Sequence, residues 1–138
     1  MLQLLNIQTT PTALVARLRM PADWRVLSAQ QAEALLCQLP TLAEHACKSG
    51  GATRFGERIV GALLPHAVEH VAIDLLVRRF PGAGAISGNS VRLNNTEMQV
   101  RISRCSSVAP QAVARALRDA VQMVNDLRAP CHSSSNIP

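Results

Sequence analysis

His66, Glu69 and His70 stand in the order H-x-x-E-H inside a long apolar stretch. On a helix, side chains four residues apart share a face, so both imidazoles can meet one ion, with Glu69 beside them. This is the spacing of the inverted zinc peptidases. In that chemistry the two His bind Zn2+, and the Glu acts as general base toward a water that the ion has acidified. Asp74 lies one turn beyond His70, where a carboxylate can orient that imidazole from behind. A second account needs no ion: the polar groups satisfy one another in a hydrogen-bonded cluster. A third leaves them partly exposed at the surface; since burying three such side chains without partners costs several kcal/mol, a shared role is the economical account.

Smaller candidates surround this group. His45 and Cys47 form an H-x-C pair that suits either packing at a helix end or ligation. Arg54 and Arg58 flank the loop SGGATRFG and can meet a carboxylate-rich peptide, or simply pack and stay solvated. That loop is not a phosphate loop, since it has no G-K-[ST] and no apolar strand before it. Ser106 and Ser107 suit capping of the following helix. Cys131-His132 falls in a polar tail.

The elements that must position these residues are legible in outline. Residues 1–20 read as two extended pieces broken by Thr9-Thr10-Pro11, the second alternating from Ala13 to Met20. Ser28 with Gln31 forms a capping box, followed by Ala32, Leu35, Leu36 and Leu39 at helical spacing. Thr41 with Glu44 offers a second box into a short helix ending near Lys48. The H-x-x-E-H helix is expected from Arg58 or Gly61 to Arg79, with Pro65 near its start and Pro81-Gly82 ending it. It is apolar around most of its circumference, so it is expected to be buried centrally. Residues 85–104 read as a hairpin turning at Asn94-Asn95, and Pro110 to Leu127 as an amphipathic helix. The fold class is therefore α+β: an antiparallel sheet of three or four strands with helices packed on it. Residues 1–128 are expected to form one domain and 129–138 a disordered tail.

Composition narrows the partners. The chain has 138 residues, 48% hydrophobic and 17% charged, which suits a folded domain rather than a disordered one. The net charge is +5, yet the basic residues are scattered from Arg17 to Arg128 without a basic block. Aromatics are only Trp24, Phe55 and Phe80. Nucleic acid is thus not the expected partner. No apolar run reaches membrane-span length, and the first residues do not read as a signal peptide, so a cytoplasmic location without membrane contact is expected. None of the four Cys stands in a C-x-x-C pair.

The stretch LPTLAEHACKSGGATRFGERIVGALLPHAVEHVAIDLL resembles the N-terminal domain of cyanophycin synthetases. The resemblance rests on Leu39, Pro40, Leu42, Glu44, His45, Cys47, Gly50, Gly51, Phe55, Arg58, Gly61, His66, Glu69, His70, Val71, Ala72 and Asp74. More loosely it extends over residues 14–128, including Arg17-Leu18-Arg19 and Trp24. Those synthetases polymerise aspartate and arginine through ATP-dependent domains that this sequence does not contain. Their N-terminal domain binds the polymer, and in some members holds a zinc-peptidase-like site that trims it. The resemblance thus implies a zinc-dependent, peptidase-like domain that acts on or binds Asp/Arg-containing peptide or polymer. The alternative is a non-catalytic binding or assembly module that partners separate ligase chains. Two departures matter. The family's pair of Glu before the last helix is replaced by Arg104-Cys105-Ser106-Ser107, which leaves Cys105 as the expected third zinc ligand. Pro65 stands where the family prefers Gly.

Overall fold

A computed structural model describes residues 1–47, 53–103 and 105–128. Strands β1 (Gln3–Thr9) and β2 (Ala13–Arg19) form the opening hairpin, and α1 (Ala29–Gln38) follows. The short strands β3 (Ala46–Cys47) and β4 (Thr53–Arg54) come next, then the central helix α2 (Leu64–Arg79). Strands β5 (Gly88–Arg92) and β6 (Glu97–Ser103) and the last helix α3 (Pro110–Arg128) complete the chain. The class is α+β, with a four-stranded antiparallel sheet and three α-helices among the described residues.

The sheet order is β1-β2-β6-β5, so β2 pairs with a strand some eighty residues away: Ala13 opposes Ser103 and Arg19 opposes Glu97. Alternation explains which face is covered. Met98, Val100 and Ile102 of β6 are buried, while the residues between them are half-exposed. Leu14, Ala16 and Leu18 of β2 continue the same buried face. Helices α2 and α3 pack together on it. Asn125 of α3 ties down the start of the chain: its Oδ1 accepts from the Leu2 N–H and its Nδ2 donates to the Leu2 carbonyl, both at 2.9 Å.

The first capping box forms as the sequence implies. The Ser28 hydroxyl accepts from the Gln31 N–H at 3.1 Å, and the Gln31 side chain accepts from the Ser28 N–H at 3.0 Å. The second does not. Pro40–Glu44 is a 3-10 turn with no side-chain cap, and a strand rather than a helix follows it. Thr41 fails as a cap because its hydroxyl is committed elsewhere, to Asp74 at 2.7 Å. Helix α2 begins at Leu64, later than expected, after Gly61 turns the chain at φ +84°. Pro65 sits in its first turn, where a missing N–H leaves no helical bond unmade. The Gly50-Gly51 turn and the tail from 129 to 138 lie outside the described residues.

Candidate metal centre

Helix α2 is the floor of the site. From Leu64 to Leu76 every residue is buried except His66, which is half-buried. The apolar majority packs into the core, which leaves His66, Glu69, His70 and Asp74 as the polar residues to be accommodated. All have partners: no buried side-chain nitrogen or oxygen among the described residues lacks one.

His66 and His70 lie one above the other, Nε2 to Nε2, at 3.1 Å. Cys47, buried on β3, brings its Sγ to 3.6 Å from the His66 Nε2. Ligand atoms of Cys47, His66 and His70 lie within 4.8 Å of one another. Phe55 holds the rings in place. It is fully buried, stacks on His70 with centroids 4.1 Å apart, and meets His66 edge-on at 5.5 Å.

A chain of hydrogen bonds runs back from this trio. His70 Nδ1 faces His45 Nδ1 at 3.4 Å, and His45 Nε2 meets Asp74 Oδ1 at 2.9 Å. The Asp74 carboxylate also accepts from the Thr41 hydroxyl and, through Oδ2, from Arg78 Nε at 2.9 Å. The order of donors follows. A carboxylate only accepts, so His45 Nε2 carries the proton, and His45 Nδ1 is left as an acceptor. His70 Nδ1 then donates to it, and the lone pair of His70 Nε2 points at His66 and Cys47. Asp74 thus connects to His70 through the intervening His45 ring rather than directly.

Glu69 lies on the neighbouring face of α2, against β5. Ser90 lines the cleft beside it. Gly88 makes room: a Cβ there would stand 2.6 Å from the Arg101 carbonyl oxygen and 3.3 Å from the Glu69 Cγ. Burial raises the Glu69 carboxyl to about 7, and Ser90 opposes that shift. Burial lowers His70 to about 3, with His66 and His45 adding to the effect, and burial also lowers His66. Neutral imidazoles are the form that ligates a metal.

These groups line a cleft of about 820 Å³, whose walls include His45, Cys47, Glu69 and Ser90 over the α2 floor. The donors fit zinc. One thiolate and two imidazoles are borderline-soft ligands of the kind Zn2+ takes in threes at sites that leave a position open. Tetrahedral zinc sets nitrogen donors about 3.4 Å apart and a sulfur–nitrogen pair about 3.6 Å apart, from its bond lengths. The 3.1 Å and 3.6 Å separations come close to both.

Cys105, expected as the third ligand, is not part of this group. Its Sγ donates to the Ala83 carbonyl at 3.1 Å and lies 3.0 Å from the Ser107 hydroxyl. Cys47 stands with the two His instead. Its signal was the H-x-C pair, which sequence alone left open between packing and ligation. Arg54 and Arg58 do not line the cleft: Arg54 pairs with Glu44 at 2.8 Å, and Arg58 Nε reaches Thr53 at 3.4 Å. Arg78 is the arginine on the cleft wall. Nothing in the sequence pattern pointed to Ser90 or to the Phe55 stack.

Residues 27–129 match the family model of the cyanophycin synthase-like N-terminal domain. No curated protein matches the chain.

Proposed function

The chain belongs to the cyanophycin synthase-like N-terminal domain family, and from that premise we propose that it is a zinc-dependent hydrolase of peptide bonds in Asp/Arg-containing peptide or polymer. The observation that carries the reading is the convergence of Cys47, His66 and His70 within 4.8 Å on the wall of a cleft that Glu69 also lines. Cys47 and the Nε2 atoms of His66 and His70 would hold the ion. Bound there, it supplies a Lewis acid that polarises a carbonyl and acidifies water.

The remaining work falls to side chains. His45, held by Asp74, keeps the His70 Nδ1 proton in place and so keeps Nε2 free to ligate. Glu69 takes the proton from the attacking water and later gives it to the leaving amine. A carboxyl near 7 can do both at neutral pH. Cys47 gives up its proton when the ion enters, whereas His66 only moves its proton from Nε2 to Nδ1.

Separate substitutions test this. Protein purified without a His tag and incubated with zinc at pH 7.5 should hold one ion per chain. Cys47→Ala, His66→Ala and His70→Ala should each lose most of it. Glu69→Gln should keep the ion and lose hydrolysis of an Asp/Arg peptide. Wild type that remains metal-free under these conditions overturns the reading.

A further inference from the structure

Strand β5 ends the sheet, and its register fixes which of its main-chain groups are used. Ser103 N–H bonds to the Ser87 carbonyl at 2.8 Å, and Leu93 N–H to the Glu97 carbonyl at 2.9 Å. In an antiparallel pair the bonded positions alternate. With Asn89 opposite Arg101 and Val91 opposite Gln99, the odd-numbered residues of β5 face β6. The N–H and C=O groups of Gly88, Ser90 and Arg92 therefore point the other way, and among the described residues no main-chain group pairs with them. Residues 84–90 line the same cleft as His45, Cys47 and the polar residues of α2, so this edge borders it. Gly88 lies against Glu69 Cγ, which puts the edge beside the candidate reacting groups.

We propose that the β5 edge is a substrate-docking site, on which an extended peptide adds as a fifth strand through the main-chain groups of Gly88, Ser90 and Arg92. A row of alternating donors and acceptors recognises a polyamide main chain and no other common ligand class. Four residue steps cover roughly 13 Å, so four or five residues of the peptide engage. A strand added there lies about 4.8 Å beyond β5, over the α2 floor. The cationic side chain of Arg92 at the strand end favours acidic side chains on the bound peptide, while Arg78 on the cleft lining is already paired with Asp74. The choice of an acidic peptide rests on the hydrolase reading. The docking mode rests on strand register alone.

The probe is a capped hexapeptide of alternating Asp and Arg, added to wild-type protein with zinc and, separately, with chelator. In free protein the Ser90 and Arg92 amides should exchange with solvent faster than those of Asn89 and Val91. Peptide should slow exchange at Ser90 and Arg92 specifically. Two peptide analogues, N-methylated at odd or at even amides, should differ: one phase should lose affinity at least ten-fold and the other should retain it. Equal affinity of the two analogues, absence of binding, or binding that leaves Ser90 and Arg92 exchange unchanged overturns the proposal. Docking by chelator-treated protein that also fails to take up zinc would leave this site standing while the hydrolase falls.

Discussion

His70 and Glu69 are neighbours in sequence and equally buried, yet burial moves their proton equilibria in opposite senses. For His70, folding lowers the group from 6.5 to about 3. The unfolded chain therefore binds a proton that the folded chain refuses, and stability falls as pH drops below 6.5. For Glu69, folding raises the group from 4.5 to about 7. The folded chain then holds the extra proton, and stability rises as pH drops from 7 toward 4.5. In metal-free protein Glu69 opposes His70 and the likewise lowered His66 between 4.5 and 6.5, so acid destabilisation should be shallow there and steepen below about 4.5. Glu69→Gln removes one slope, so its denaturation midpoint should already decline from pH 6.5 downward. Urea midpoints measured with chelator across pH 3.5–8 check this, and parallel curves for variant and wild type would contradict it. The H-x-x-E-H trio was legible because its spacing is local to one helix. Cys47 was legible only as half of an ambiguous H-x-C pair, because it joins His66 only when β3 folds against α2, a tertiary event that local spacing does not decide.

The contrast between the two capping boxes makes the same point for whole elements. Ser28 and Gln31 cap α1, and the Trp24 Nε1–H that also donates to Gln31 Oε1 at 3.2 Å leaves that box intact. Thr41 and Glu44 have the same spacing, yet Thr41 turns to Asp74, thirty-three residues on. Local pattern predicts a helix start only where no distant partner outbids it. Asp74 thus fastens α2 to the Pro40–Glu44 turn and, through His45, aligns His70. Asp74→Asn keeps the volume but removes the charge that His45 and Arg78 address. Zinc affinity should fall about 10–100-fold, as is usual when the group behind a ligating histidine is lost. Competition with a chelating dye measures the loss, and thermal melts of the same samples separate it from unfolding. Unchanged affinity would show that the His45 chain does not position His70.

At the scale of the molecule, basic residues outnumber acidic ones by five, and several of the described arginines are already paired. Arg17 and Arg19 share Glu97, Arg79 meets Asp119, and Arg128 meets Asp23. Exposed pairs of this kind add little to stability, but the surplus charge acts at a distance on an acidic or mixed-charge ligand. Affinity for an Asp/Arg peptide should fall several-fold between about 50 and 500 mM salt, as screening shortens the reach of exposed charges. Titration calorimetry at both salts tests it, and salt-independent affinity would exclude this partner chemistry. The four strands of the main sheet and the fold class were legible in the sequence, since alternation and helical spacing mark those pieces, whereas the two-residue strands β3 and β4 are too short to leave such a mark. The pairing of β2 with β6 was not, because strand order depends on contacts between segments far apart. No described helix is long and apolar enough to cross a membrane.

The Asn125–Leu2 clasp joins nearly the first residue to nearly the last, and β2 waits for β6 in the same way. During synthesis the ribosome therefore releases the cluster-bearing helix well before the sheet and α3 that bury it. Hairpin β1–β2 and helix α2 emerge with their apolar faces wet, and loop closure over some eighty residues must precede assembly. The sheet and the clasp thus close only once β6 and α3 have emerged, and any ion that meets Cys47, His66 and His70 before then meets them before Phe55 and the sheet have fixed their geometry.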